Sequence, residues 1–289
     1  MTTTADPTAD QGLWLDQLCR EREAYRLPPR AQARASTYAE QVLGFIFPHF
    51  AAQVHCARGM VAGEHRALAE ETATLLAAFQ QLAPDGERSS NTAERSAAFM
   101  DSLPALRRSL LEDAQFIVDS DSAATSIDEV VLSYPGFLAT ACYRVAHRLR
   151  ELGVPLLPRL ITEYAHQRTG IDIHPGATIG VPFAIDHGTG VVIGETAYVG
   201  RRVRMYQGVT LGALSVEKGL ASNKRHPTIH DDVVLYANAT VLGGRTTVGA
   251  GSIIGGNVWL TRSVAEKSVV VHKAMDTHTS DQPALDWQI

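Results

Sequence analysis

The chain has 289 residues, 45% of them hydrophobic and 20% charged, with a formal net charge of −5. That length suits one large domain or two modest ones, and the composition is that of an ordinary globular protein. The acidic balance argues against a nucleic-acid binder held by phosphate contacts, although an anionic small ligand needs only a local positive site. No apolar run of about 18 residues exists to cross a membrane. The opening MTTTADPTADQ has neither the basic nor the apolar region of a secretory signal. Cys19, Cys56 and Cys142 are odd in number and widely spaced, which fits neither a disulfide framework nor a zinc site. A cytoplasmic protein with reduced thiols and no bound metal is the expectation.

In chain order, residues 1–12 read as a disordered N-terminus and 13–168 as a helical domain. Apolar residues at Val61, Leu68, Leu75, Phe79 and Leu82 fall close to whole turns of a 3.6-residue helix. The turn-rich stretch from Pro84 to Asn91 predicts a loop. A second helical series runs Phe99, Leu103, Leu106, Leu110, where Pro104 predicts a kink or a late start. A third follows Pro135-Gly136 through Leu138, Ala141, Val145, Leu149 and Leu152, until Gly153-Val154-Pro155 ends it. Leu157 to His166 reads as one more short helix. None of these helices names a chemistry.

From Ile171 the period changes to six. Ile173, Ile179, Ile185, Ile193, Val199, Met205, Leu211, Ile229, Leu235, Val241, Val248, Ile254 and Leu260 form the series, mostly with a small or β-branched residue two positions earlier. A hexad is no helical period, but it is the period of a triangular parallel β-helix. One hexad makes a flat face and a turn, three make a coil, and stacked coils bury an apolar column that no single repeat could bury alone. The expected fold class is α+β: an α-helical N-terminal domain, then a left-handed parallel β-helix of hexapeptide repeats over 169–272. A flexible tail, 273–289, would follow.

The breaks in the hexads draw attention, because loops on a rigid scaffold commonly carry function. Two extra residues fall in Asp186-His187-Gly188-Thr189-Gly190, and the loop 213–226 loses the pattern. Polar clusters stand at or near these breaks: Asp172-Ile173-His174-Pro175, Asp186-His187, and Lys224-Arg225-His226-Pro227. Asp172 lies 14 and 15 residues before Asp186 and His187, so with about 18 residues per coil they fall on nearby coils. A carboxylate beside an imidazole suits general-base chemistry. Each residue alone is as well explained by a turn or a solvated surface; the clustering at the irregular points is what favours a site.

The stretches IDIHPGATIGVPFAIDHGTGVVIGETAYVG, YQGVTLGA, KRHPTI and VVLYANATVLGG, in this order, resemble the serine acetyltransferase family over roughly Ser133 to Leu260. The upstream SYPGFLATACYRVAHRL resembles its longer bacterial branch. The resemblance implies acetyl transfer from acetyl-CoA to L-serine, giving O-acetyl-L-serine for cysteine biosynthesis. It implies His187 as general base, Asp172 as the carboxylate orienting it, and His226 beside them in the catalytic set. Arg225 would pair the serine carboxylate, while Asp186 and Asp121 would hold its ammonium; the family's proline after the latter acid is absent here. Gly212, Ala213, Ala237 and Gly256 match the coenzyme A contacts, and Lys218, Lys224 and Arg245 are candidates for its phosphates. The groove lies between neighbouring β-helices, which implies a homotrimer or a dimer of trimers. A terminal Ile289 implies docking to O-acetylserine sulfhydrylase.

The loop 214–224 is longer and more charged than the family's glycine-rich version. Three other readings stay open at this level. An acyltransferase with another acceptor would share the base; a zinc hydratase would use His174, His187 and His226; and the β-helix would serve as a scaffold without catalysis.

Overall fold

The computed structural model describes residues 7–82, 91–214 and 223–271. Lys218, most of the loop 213–226, and the tail 273–289 with Ile289 lie outside the described residues. The helical half comprises α1 (Pro7–Ala24), α2 (Ala31–Ile46), a 3₁₀ turn (Pro48–Phe50), α3 (Arg58–Gln80), α4 (Thr92–Ser120), α5 (Ile127–Ser133), α6 (Pro135–Glu151) and α7 (Leu157–Thr169). Two expectations change here. Residues 7–12, assigned above to a disordered N-terminus, belong to α1. Pro104 neither delays nor ends its helix, for α4 begins at an Asn91 cap and runs through the proline. Pro104 costs the helix one N–H donor, but Phe99, Met100, Leu103 and Leu110 bury one face on both sides of it. Burial worth about 1.5–3 kcal/mol per large apolar side chain outweighs the single bond.

The solenoid has three parallel faces. The first stacks β1 (Asp172–Ile173), β4 (Val192–Ile193), β7 (Thr210–Gly212), β10 (Thr240–Leu242) and β13 (Trp259–Leu260). The second stacks β2 (Thr178–Ile179), β5 (Tyr198–Val199), β8 (Thr228–Ile229) and β11 (Thr247–Val248). The third stacks β3 (Phe183–Ile185), β6 (Val203–Met205), β9 (Val234–Leu235), β12 (Ile253–Ile254) and β14 (Val269–Val270). The hexad residues stand in register. Ile173, Ile193, Leu211, Val241 and Leu260 form one inward column. Ile179, Val199, Ile229 and Val248 form the second. Ile185, Met205, Leu235 and Ile254 form the third. Nearly all are buried, so the period of six is the solenoid's core.

Each coil's backbone bonds to the next coil, as in Asp172 N to Val191 O and Val192 N to Val209 O. The first coil has no predecessor, and helix side chains take that place. The Tyr143 hydroxyl donates to Ala177 O (2.6 Å), His147 Nδ1 to Pro175 O (2.8 Å), and Arg144 to Ile179 O (3.3 Å) and Gly180 O (3.0 Å). Asp113 accepts from Phe183 N at 2.9 Å and from Arg144 at 2.6 and 2.8 Å. Asp113 is fully buried and Arg144 nearly so. Thus α4 and α6 seal the first coil, and Ala139 and Tyr143 of α6 join the solenoid core.

Among the described residues no helix is long and apolar enough to cross a membrane.

Candidate active site

The chain enters the first face along one edge of the prism and leaves it along another; these are the leading and trailing edges. Corners 186–191, 206–209, 236–239 and 255–258 line the leading edge. Corners 174–177, 194–197, 243–246 and the long loop between β7 and β8 line the trailing edge.

Asp186 and His187 follow β3 on the leading edge. His187 has a φ of 56°, left-handed backbone that histidine tolerates better than most residues. Its ring projects outward, 73% exposed, with Nε2 3.8 Å from Asp186 Oδ1. Asp121, which ends α4, shares this corner. Its Oδ2 accepts from the Tyr134 hydroxyl at 2.7 Å and its Oδ1 from Ala123 N at 2.8 Å. The Tyr134 bond first, then the Ala123 amide and the charge of His187, hold the Asp121 carboxyl below its usual range. Asp121, Asp186, Arg204 and Tyr206 line one small crevice. Arg204 Nη1 donates to Ser120 O at 3.3 Å and so ties the end of α4 to β6.

Asp172 also stands at the leading edge, but its carboxylate accepts from Arg159 Nη1 of α7 at 3.3 Å. Among the described residues no hydrogen bond joins it to His187; Asp186 is the carboxylate facing that imidazole. A guanidinium within reach outcompetes a neutral ring for a carboxylate. Glu163, His166 and Asp172 come close enough together to suggest a cation, yet Arg159 already pairs Glu163 and Asp172.

The trailing edge carries the other half of the expected set. His226 lies 8% exposed against Gly194, where a Cβ would stand 2.0 Å from the ring. Its Nδ1 accepts from Thr196 N at 3.0 Å, so in the neutral ring the proton sits on Nε2. Burial, then the neighbouring Arg225 charge, pushes the His226 pKa down to about 4. Thr196 Oγ1 accepts from Arg225 N (2.9 Å) and His226 N (3.0 Å) and thereby shapes the loop stem that presents both side chains. Arg225 Nη2 donates to Glu195 Oε2 at 2.6 Å, and Arg150 Nη2 backs the same carboxylate at 2.9 Å. Burial works to raise the Glu195 pKa, but the Arg225 bond and the charges of His174, Arg150 and Arg225 outweigh it and hold it low. Lys224 is committed elsewhere: its Nζ donates to Thr196 O (2.6 Å) and Pro227 O (3.1 Å), clamping the loop stem instead of offering a free cation. Arg245 is exposed on the same edge.

The expected site residues therefore fall into two groups. Asp121, Asp172, Asp186 and His187 share the leading edge with Ala237 and Gly256. Arg225 and His226 share the trailing edge with Gly212 and Ala213. Sequence reasoning missed Glu195, Thr196, Gly194, Arg159 and Tyr134. Glu195 and Thr196 sit in register inside the hexads and carry no irregularity that would mark them.

A parallel β-helix of hexads is the architecture of the hexapeptide-repeat transferases. No protein-family model matches the chain. It is 54% identical over 187 residues to a plasmid-borne serine acetyltransferase of Synechococcus elongatus, a match over 63% of this chain and only 58% of that relative's length. It is 49% identical over 164 residues to the serine acetyltransferase of Bacillus subtilis, covering 57% of this chain and 73% of that one. Among solved structures, serine acetyltransferase isoform 3 of Entamoeba histolytica, in complex with cysteine, superposes with a TM-score of 0.73. It is 35% identical and covers 85% of this chain and 84% of its own. The Neisseria gonorrhoeae enzyme in complex with serine gives a TM-score of 0.57 at 25% identity, over 83% of this chain and 95% of its own.

The chain belongs to the serine acetyltransferase family.

Proposed function

We propose that the protein transfers the acetyl group of acetyl-CoA to the hydroxyl of L-serine, giving O-acetyl-L-serine for cysteine biosynthesis. The observation that supports this reading is that two carboxylates, Asp121 and Asp186, share one edge of a face while the Arg225 guanidinium stands at the other. A carboxylate pair suits an ammonium and a guanidinium fork suits a carboxylate, so an amino acid fits this set better than a neutral sugar. In one chain the two edges are separated by the width of the face. They meet when the leading edge of one subunit lies against the trailing edge of the next, and a closed homotrimer repeats that contact three times. The same juxtaposition brings Ala237 and Gly256 opposite Gly212 and Ala213, small residues that let a pantetheine arm approach the backbone.

In that groove the His187 imidazole takes the proton of the serine hydroxyl as its oxygen attacks the thioester carbonyl. The new C–O bond gives a tetrahedral oxyanion, which donors at the groove stabilise. His226, neutral with its proton on Nε2, is suited to donate there. Collapse breaks the C–S bond, and the departing thiolate recovers a proton from the imidazolium. Asp186, beside His187, is placed to stabilise the transient cation; a trimer contact that frees Asp172 from Arg159 would add the family's carboxylate. Transfer is direct, through a ternary complex.

The test follows free-thiol release from acetyl-CoA with L-serine, L-homoserine, D-serine and a sugar panel. Serine-dependent release is expected, with a loss in His187→Ala of about a hundredfold or more. Release with a different acceptor would sink the serine assignment; undiminished release from His187→Ala would sink the base.

A further inference from the structure

Tyr134 falls within the stretch SYPGFLATACYRVAHRL but lies outside the expected catalytic and binding set, yet the fold directs its hydroxyl at Asp121. It stands between α5 and α6, its N–H bonded to Val130 O at 3.1 Å, with Pro135 opening α6 behind it. Two residues on, Gly136 packs so closely on the solenoid that a Cβ would stand 2.1 Å from Ile185 O. Ile185 directly precedes Asp186-His187. The start of α6 is thus seated on the backbone that presents the general base, and Tyr134 is placed relative to it without slack.

From that seat the phenol donates to Asp121 Oδ2 at 2.7 Å. Asp121 has already left the helix, with φ −111° and ψ 114°, and among the described residues its carboxylate accepts hydrogen bonds from Tyr134 and the Ala123 amide alone. Arg204 lines the same crevice. Without the phenol, the carboxylate would be free to swing toward that guanidinium, and an internal ion pair would replace the one meant for a ligand. The bond to Asp121 comes first among the causes that raise the Tyr134 pKa to about 12, so the hydroxyl stays a donor at any working pH.

We propose that Tyr134 is a positioning residue that holds Asp121 toward the leading edge and so sets the affinity for the acceptor's ammonium group. This rests on the reading of Asp121 as an acceptor-binding residue, given above. A hydrogen bond to a charged group is stronger than one between neutral partners. Its loss in Tyr134→Phe is expected to raise KM for L-serine about tenfold. The kcat and the KM for acetyl-CoA should stay within about twofold, because neither the base nor the thioester groove is touched. In an Asp121→Asn background the same change is expected to add little, since its partner is already altered. An unchanged serine KM in Tyr134→Phe would overturn the proposal. So would an equal fall in kcat and affinity for both substrates, or a full tenfold effect persisting in the Asp121→Asn background. Wild-type protein that acetylates no amine-bearing acceptor would overturn the functional reading, and the proposal with it.

Discussion

Gly194 and His226 show how one missing side chain sets a chemical group. The His226 ring rests on the Gly194 backbone, its Nδ1 takes the Thr196 amide, and burial keeps it neutral down to about pH 4. Gly194→Ala must displace the ring or the corner, and overpacking of this kind costs about 1–3 kcal/mol. Thiol release with serine is expected to fall at least about tenfold, with circular dichroism retaining the solenoid's signature; full activity would mean the ring's placement is not needed. His226 and His187 were legible in the sequence because both stand at breaks in a repeat. Thr196 was not, since its hydroxyl and amide act across 30 residues of sequence. Asp172 was legible as a family match, whereas its engagement with Arg159 depends on how α7 approaches the first coil.

At the scale of elements, the two halves were unequally readable. The hexads announce themselves because each coil must place an aliphatic residue inward on every face, and a polar residue there would be buried without a partner. Amphipathic helices impose no comparable signature, so α3 and α6 were placed but the continuity of α4 through Pro104 was not. What joins the halves was also hidden. The Asp113–Arg144 pair, with Phe183 N and the carbonyls of Ile179 and Gly180, looks in sequence like two ordinary charges on two helices. Arg144→Met leaves a buried carboxylate without its cation, and losses of this kind cost about 3–5 kcal/mol. A denaturant midpoint reduced to match is the expected outcome. A stability within about 0.5 kcal/mol of wild type would show that the seal does not depend on the ion pair.

For the whole molecule, the proposed division of the site between two edges predicts that neither half works alone. A His187→Ala subunit keeps an intact trailing edge, and an Arg225→Ala subunit an intact leading edge. Mixed by joint refolding or co-expression, these two inactive variants should recover about a quarter of wild-type activity, the share of contacts in which both intact edges meet. No recovery in mixed assemblies would place the whole site within one chain. Beyond Asp172 on the first coil, the outward residues of the intervening face, Val192, Thr210, Thr240 and an exposed Trp259, are uncharged, as a buried contact would favour.

The seal over the first coil also gives the solenoid a polarity of growth. Its upstream end is closed by side chains matched to particular backbone groups, so a coil inserted there would strand Tyr143, His147 and Arg144 without their acceptors. A coil added beyond β14 breaks no such match and leaves Asp121, His187, His226 and Gly256 at their present heights. Growth of the solenoid is therefore open at one end and forbidden at the other, and the His-Asp corner is placed beside the end that cannot change.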